Sequence, residues 1–288
     1  MNTDDEVILT LRKICQTLDH FVPETSQEAD LSACDAFIWV SEKAQFRAVN
    51  KVNYVDISLL KGIESQAKLL EKNTKQFANG FPANNALLWG ARGTGKSSLV
   101  KAIHNKIKKG AQNRLVLLEI HREDIQSLPQ ILSRLRDQPY RFLLFCDDLS
   151  FNDHDDTYKS LKGLLEGGIE GRPENVLFYA TSNRRHLMAR NMIDNEESSA
   201  IHASEAVEEK VSLSDRFGIW LGFHNCDQNT YIDIVESYAK RYNLNDSSID
   251  IQLEAIEWSI TRGARSGRVA WQYIQDLAGR LGKPINLE

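Results

Sequence analysis

The chain has 288 residues and a formal net charge of −5 at pH 7, so it can bury a sizeable core as one large domain or two smaller ones. Its 42% hydrophobic and 26% charged residues are ordinary for a globular protein, and no apolar stretch reaches the roughly 18 residues of a transmembrane helix. No global basic excess argues for nucleic-acid binding, although a local basic patch stays open.

The amino-terminal sequence and the cysteines indicate the compartment. Residues 1–13 carry acids where a signal peptide needs a basic region, so we expect a cytoplasmic protein without membrane association. The cysteines form no CxxC pair, which predicts reduced thiols and no zinc-finger site. They are Cys15, Cys34, Cys146 and Cys226.

Residues 1–55 precede the strongest pattern in the chain. Residues 6–20 place apolar side chains at helical spacing, which predicts an amphipathic helix, and the apolar run AFIWV follows at 36–40. We interpret 1–55 as a small, mostly helical amino-terminal region. The next segment, 56–80, predicts a turn and one long helix that ends at Gly80.

From residue 86, apolar runs alternate with helical patterns. Four of the five runs are nearly continuous in apolar residues, as in the strands of a parallel sheet that helices cover on both faces. We therefore predict an α/β fold with a three-layer αβα core and a five-stranded parallel sheet over 56–226. The five runs are residues 86–90, 114–121, 141–148, 175–183 and 217–223.

The carboxyl-terminal part of the chain changes to helical patterns. Residues 227–288 contain three segments with a 3.6-residue period, which predicts a helical subdomain. The polar, acidic stretch 190–210 has no strong pattern, and we interpret it as a long loop or an irregular helix.

Residues 90–97, GARGTGKS, match the P-loop pattern G-x-x-x-x-G-K-[ST] between a predicted strand and a predicted helix. Triphosphate is a dense anion, so a loop that binds it aims backbone N–H groups inward and avoids bulky side chains. Lys96 would contribute an ammonium to the β- and γ-phosphates, and the Ser97 hydroxyl would bind Mg²⁺.

This loop predicts a P-loop NTPase that binds ATP and Mg²⁺. The competing interpretation is a glycine-rich turn with an exposed lysine. The predicted nucleotide-binding residues are Gly90, Ala91, Arg92, Gly93, Thr94, Gly95, Lys96, Ser97 and Ser98.

Two acids end the predicted third core strand. In open α/β sheets, ligands bind beyond the carboxyl ends of the strands, which places Asp147 and Asp148 near the phosphate loop. We predict that Asp147 holds Mg²⁺ together with Ser97, and that Asp148 orients or deprotonates the attacking water. The alternative is that both acids cap the following segment.

The segments LLWGARGTGKSSLVKA, FCDDLSF, ATSNRRHL and SLSDRFG, followed by a helical carboxyl-terminal part, resemble a AAA+ ATPase. More closely, they resemble a bacterial AAA+ family catalogued as domain of unknown function 815. The resemblance covers roughly residues 55–285. It implies ATP hydrolysis by the core and a lid subdomain at 227–288.

The resemblance implies roles for two further residues. Asn183 ends a predicted strand and resembles the sensor amide that contacts the γ-phosphate or the attacking water; the alternative is an ordinary polar residue at a strand end. Arg216 resembles the arginine finger that reaches a neighbouring subunit's phosphate, which implies a homo-oligomeric ring or filament. The alternative for Arg216 is a local ion pair with Asp215.

The lid and the base pocket have similar implied residues. Arg268, at the start of a predicted lid helix, resembles the second sensor, with Arg265 as the competing choice. Residues 60–63 resemble the box that contacts the adenine base.

The resemblance implies that ATP hydrolysis is coupled to motion on an unknown protein client. An ATP-gated adaptor or loader acting on DNA or a DNA-bound protein, with slow turnover, is the alternative. One departure from AAA+ unfoldases disfavours a peptide-threading machine: residues 119–130 carry no aromatic residue where those proteins place a pore loop.

Overall fold

A seven-stranded sheet lies at the centre of the computed structural model, which describes residues 30–151, 157–166, 171–185, 187, 213–244 and 246–285. The strand order is β2-β1-β4-β5-β6-β3-β7. Neighbouring strands are parallel except β1 and β2, which are antiparallel. The strands are β1 (Ala36–Val40), β2 (Gln45–Ala48), β3 (Ala86–Gly90), β4 (Leu115–Ile120), β5 (Arg141–Cys146), β6 (Val176–Ser182) and β7 (Ile219–Phe223).

The predicted α/β fold with its parallel sheet is confirmed, because all five predicted core strands form as β3 to β7. In β6 all seven residues are buried, and in β5 all but the first are. Their side chains fill two separate apolar clusters, one on each face of the sheet. Burial on both faces is the physical cause of the continuous apolar runs in the sequence.

The expectation of a mostly helical amino-terminal region is wrong for its described part. Residues 30–55 form no α-helix there; β1 and β2 extend the sheet from five strands to seven, with β1 parallel to β4. Phe37 and Trp39 are buried against the sheet's core, and Arg134 lies over the Trp39 ring. A five-residue apolar run cannot distinguish strand from helix by period alone. The helix predicted over 6–20 lies outside the described residues.

Four helices cover the sheet among the described residues, and three more form the carboxyl-terminal subdomain, as predicted. The subdomain has its own apolar core, centred on buried tyrosines such as Tyr231 and Tyr273. The residue before each of its helices caps that helix, because its side chain accepts a hydrogen bond from a backbone N–H of the first turn. The helices are α1 (Glu64–Ala78), α2 (Lys96–Ile107), α3 (Leu128–Arg136), α4 (Tyr158–Glu166), α5 (Gln228–Arg241), α6 (Ile251–Thr261) and α7 (Gly267–Arg280).

Two expectations about the environment can be compared with the described residues. None of the helices in these ranges is long and apolar enough to cross a membrane. Cys34, Cys146 and Cys226 are free thiols, and burial raises the pKa of the Cys146 thiol. The fourth cysteine and the segment 190–210 lie outside the described residues.

His104 ties helix α2 to the sheet from inside the core. Its side chain is 1% exposed, and its Nε2 lies 3.1 Å from the carbonyl oxygen of Leu115 on β4. Burial lowers the pKa of His104 to about 4, and the hydrogen bond to Leu115 raises this pKa by a smaller amount. The folded protein therefore holds this imidazole in its neutral form across the physiological range.

This burial predicts a loss of stability as the pH falls from 7 to 5. In that window the unfolded chain binds a proton at His104 and the folded chain does not, so the free energy of unfolding decreases by about 2 kcal/mol. The His104→Gln variant keeps a donor for Leu115 but has no titrating group. Urea unfolding at both pH values should therefore give a smaller decrease for the variant, and equal decreases would contradict the assignment.

Candidate functional site

The predicted phosphate loop connects β3 to α2 at the edge of the sheet where the parallel core strands end. Gly90 has φ of 135°, and a Cβ there would lie 1.9 Å from the carbonyl oxygen of Phe223, so a side chain is excluded. Gly93 and Gly95 also have positive φ, and Gly95 caps the start of α2. The loop backbone is thus shaped by glycines in the conformation that L-residues disfavour.

Lys96 is the first residue of α2, and its ammonium group is held inside the loop. Its Nζ donates to the carbonyl oxygens of Gly90 at 2.9 Å and Ala91 at 2.6 Å, and to Asn183 Oδ1 at 3.3 Å. Burial lowers the pKa of Lys96, while the carboxylates of Asp147 and Asp148 act in the opposite direction. The interpretation of residues 90–97 as a turn with an exposed lysine does not fit, because this lysine is 7% exposed.

Asp147 is in direct contact with Ser97, the other residue predicted to bind Mg²⁺. Asp147 follows β5, and its Oδ1 accepts a hydrogen bond from the Ser97 hydroxyl at 2.6 Å and a further one from the Thr181 hydroxyl. A serine hydroxyl beside a carboxylate is an all-oxygen donor set, which suits a hard cation such as Mg²⁺. In the described ranges no three or more acidic, His or Cys side chains are grouped so that they could hold a metal ion by themselves, and Mg²⁺ bound with phosphates does not need such a group.

The second acid has an unusual backbone conformation and an amide partner. Asp148 has φ of 52°, and its Oδ1 accepts a hydrogen bond from Asn183 Nδ2 at 2.6 Å. The backbone N–H of Asp148 donates to Thr181 Oγ1 at 3.0 Å. Among the described residues, neither carboxylate accepts a hydrogen bond from the segment that follows: Asp147 accepts from Ser97 and Thr181, and Asp148 accepts from Asn183.

The carboxyl-terminal helical subdomain, the predicted lid, also contributes to the site. A cavity of about 990 Å³ is lined by residues of the core and of the lid, including 92–98 of the loop, both acids and Asn183. Arg268 and Trp271 of α7 line it as well, as do residues 53–55 and 59–63. The loop and the lid are in near contact, because a Cβ on Gly93 would lie 2.9 Å from the Ser266 hydroxyl and 3.2 Å from the Cβ of Arg268.

Three predicted residues lie outside this cavity lining. Gly90 and Ala91 do not line the cavity; their carbonyl groups hold Lys96 instead. Arg216 is also outside the cavity lining, and its guanidinium pairs with Glu166 Oε1 at 2.5 Å. Arg216 therefore forms an ion pair with Glu166 of α4. The local alternative considered from the sequence was an ion pair with Asp215.

The cavity also contains residues that the sequence patterns did not indicate. Thr181 lies between the two acids, and the segment 224–227 connects β7 to α5 along the cavity wall. Thr181 lies two residues before Asn183 in the quoted motif ATSN, so the motif contained it without marking its role. The segment 53–55 lies in the part of the chain for which no packing was predicted.

Comparison with known proteins gives one family and a set of similar folds. Residues 32–281 match the family described as "Protein of unknown function (DUF815)". No protein with a curated description matches the chain.

Two solved structures have the same fold at low sequence identity. ORC1 of Aeropyrum pernix, solved in complex with DNA, is 14% identical with a TM-score of 0.55; the similarity covers 80% of this chain and 62% of that one. The FIGL-1 AAA domain, solved with ADP, is 15% identical with a TM-score of 0.50, covering 80% of this chain and 75% of that one.

The two lid arginines give a matched pair of substitutions. Both arginines are exposed, but Arg268 lines the cavity and its charge acts on Lys96, whereas Arg265 does not line the cavity. We expect Arg268→Ala to weaken binding of a fluorescent ATP analogue about tenfold, the effect of losing one charge-assisted hydrogen bond. Arg265→Ala should bind as the unmodified protein does, and an equal loss in both variants would contradict the assignment to Arg268.

Proposed function

We propose, from the premise that the chain belongs to the family described as "Protein of unknown function (DUF815)" and has the fold of AAA+ P-loop ATPases, that it binds ATP with Mg²⁺ and hydrolyses it to ADP and phosphate. One observation carries the proposal. A buried ammonium in a glycine loop, a Ser–Asp pair and an Asn–Asp pair all line or border one cavity that the lid covers.

Phosphate binding follows from the amino-terminal end of α2. The loop residues 92–95 would present backbone N–H groups to the phosphates, and the helix end adds partial positive charge. Lys96 would exchange its present carbonyl partners for phosphate oxygens. The buried ammonium would then donate to negatively charged acceptors instead of neutral ones, which gives stronger hydrogen bonds. Arg268 of the lid would approach the terminal phosphate from the opposite wall.

The metal would be held by the hydroxyl of Ser97 and the carboxylate of Asp147. Bound there, Mg²⁺ would supply positive charge beside the β- and γ-phosphates. The two side chains are already in hydrogen-bond contact at 2.6 Å, so little rearrangement is needed to bring both toward one cation. The match to an all-oxygen donor set supports Mg²⁺ over softer metals.

Water activation is assigned to Asp148 and Asn183. A carboxylate at the edge of the phosphate site can accept the proton of an attacking water or orient it by a hydrogen bond. Asn183 now joins Asp148 to Lys96, donating to the first and accepting from the second. The terminal phosphate would compete for these same partners, so Asn183 can report its presence to Asp148.

The remaining parts of the proposal concern coupling. The lid touches the loop at Gly93, so phosphate binding would move the lid and, through it, an unknown protein client. Arg216 lies outside the cavity of its own chain, which supports a role in a neighbouring subunit's site and hence a homo-oligomer. We place this activity in the cytoplasm.

A second candidate is an ATP-gated adaptor or loader that acts on DNA with slow turnover. The similarity to the fold of ORC1, which was solved with DNA, favours it. The net charge of −5 disfavours direct contact with phosphodiester chains. Strongly salt-dependent association with DNA would distinguish this candidate from the first.

Removal of the loop ammonium tests nucleotide binding itself. We expect Lys96→Met to weaken ATP binding on the order of 100-fold and to abolish phosphate release, because the phosphates lose their hydrogen bonds to a buried ammonium group. The control is Lys106→Met on the same helix, whose ammonium pairs with Glu71 at 2.7 Å and does not line the cavity. Calorimetric titration with ATP and Mg²⁺ checks both, and wild-type binding by Lys96→Met would overturn the proposal.

A mixing experiment tests the shared site. Arg216→Ala should bind ATP normally but release phosphate about 1000-fold more slowly. Mixed with Lys96→Met, which keeps Arg216, it should regain part of the activity, since each Lys96→Met subunit supplies an arginine to an intact site. Glu166→Gln removes the ion-pair partner but keeps the guanidinium, so its turnover should be unchanged. Normal turnover of unmixed Arg216→Ala would exclude the shared site.

A further inference from the structure

The Thr181 hydroxyl is hydrogen-bonded to both acids of the site, to the carboxylate of Asp147 and to the backbone N–H of Asp148. It donates to Asp147 Oδ1 and accepts the backbone N–H of Asp148 at 3.0 Å, and the residue is 2% exposed. We propose that Thr181 is a positioning residue that sets the metal-binding acid and the water-orienting acid with one hydroxyl group. What the two acids do rests on the proposed function; where Thr181 holds them does not.

Strand register explains why this residue meets both acids. β5 and β6 are parallel, and Cys146 is paired with Ala180, so the next residues along each strand, Asp147 and Thr181, are neighbours. The chain then turns around Thr181: the N–H of Asp148 donates to its hydroxyl, and the N–H of Leu149 donates to its carbonyl oxygen at 2.7 Å. Thr181 is therefore the point about which the Asp147–Leu149 turn is built.

The turn needs such support because Asp148 has φ of 52°, a conformation that costs about 1 kcal/mol or more for a residue with a side chain. The Thr181 hydroxyl fixes the N–H of this strained residue, and Asn183 fixes its carboxylate. Without the hydroxyl, the N–H of Asp148 loses its acceptor, and relaxation toward ordinary φ would turn the carboxylate away from Asn183.

The contact with Asp147 has a consequence for the cation. Both the Ser97 and Thr181 hydroxyls donate to Oδ1, and within the described ranges no hydrogen bond reaches Oδ2. Oδ2 is therefore the oxygen available to Mg²⁺ or to its bound water, and Thr181 holds the carboxylate in that orientation. When Ser97 turns its hydroxyl toward the cation, Thr181 is the donor that stays.

The hydroxyl must act as donor and acceptor at once, which the isosteric Thr181→Val variant cannot do. Without Mg²⁺, we expect Thr181→Val to bind ADP with the same affinity as the unmodified protein. The factor by which Mg²⁺ increases the affinity for ADP should be about 10- to 100-fold smaller in the variant. Phosphate release at saturating ATP should also fall, and the KM for ATP measured with Mg²⁺ should rise by a similar factor. Thr181→Ser restores the hydroxyl and should recover most of both effects. Calorimetric titration of ADP with and without Mg²⁺ gives the first readout, independent of turnover.

Ser182→Ala is the matched control. Ser182 is the next residue of β6 and is fully buried; its hydroxyl accepts the N–H of Arg184 and contacts neither acid. This variant loses a comparable buried hydrogen bond, so it reports the general cost to the strand, and we expect its response to Mg²⁺ to be unchanged.

The outcomes separate this inference from the proposed function. A normal Mg²⁺ response in Thr181→Val, or an equal loss in Ser182→Ala, overturns the positioning role even if the protein is an active ATPase. If the unmodified protein binds ADP with Mg²⁺ but releases no phosphate, the proposed hydrolysis fails while the Mg²⁺ response still decides for or against Thr181. If it binds no nucleotide at all, both are wrong.

Discussion

Three neighbouring parallel strands, β5, β6 and β3, end at the same edge of the sheet, and the candidate site depends on this constraint. β3 leads into the phosphate loop, β5 ends at the two acids, and β6 carries Thr181 and is followed by Asn183. Parallel pairing with fixed register brings these polar groups to within hydrogen-bond distance although they are 33 to 87 residues apart in the chain, for example 50 for Ser97 and Asp147. An antiparallel arrangement of the same segments would divide the groups between two edges.

The apolar core makes that edge rigid enough to hold charges. β5 and β6 are buried on both faces, so their ends cannot shift independently. The buried ammonium of Lys96 is costly in such surroundings, and carbonyl groups, an amide and two nearby carboxylates offset the cost. A phosphate ligand would bring full negative charge to the same place and would offset this cost further.

The lid adds a second constraint from a different part of the chain. The cap residue Ser266 and the following Arg268 of α7 lie against Gly93, where a side chain on the loop would collide with them. Loop and lid therefore share one packed contact beside the phosphate position, and a change on one side must be accommodated by the other. The guanidinium of Arg216 is paired with Glu166 and lies outside the lining of its own chain's cavity.

The sequence by itself determined the parts that have a local physical cause. Glycines at 90, 93 and 95 are required by backbone conformation, and continuous apolar runs follow from burial on both faces, so the loop, the five core strands and the helical subdomain could all be predicted. The adjacency of Asp147 to Ser97 followed from the rule that strand ends of a parallel sheet meet.

Tertiary structure alone decided the contacts between distant segments. The run at 36–40 became a strand because β4 offered it a parallel partner, which no local pattern encodes. Glu166 became the partner of Arg216, and Arg268 rather than Arg265 reached the cavity, because packing of whole helices sets those distances. Thr181 had no signal of its own: a threonine in a strand is ordinary, and its position between two acids exists only once β5 and β6 are paired in register.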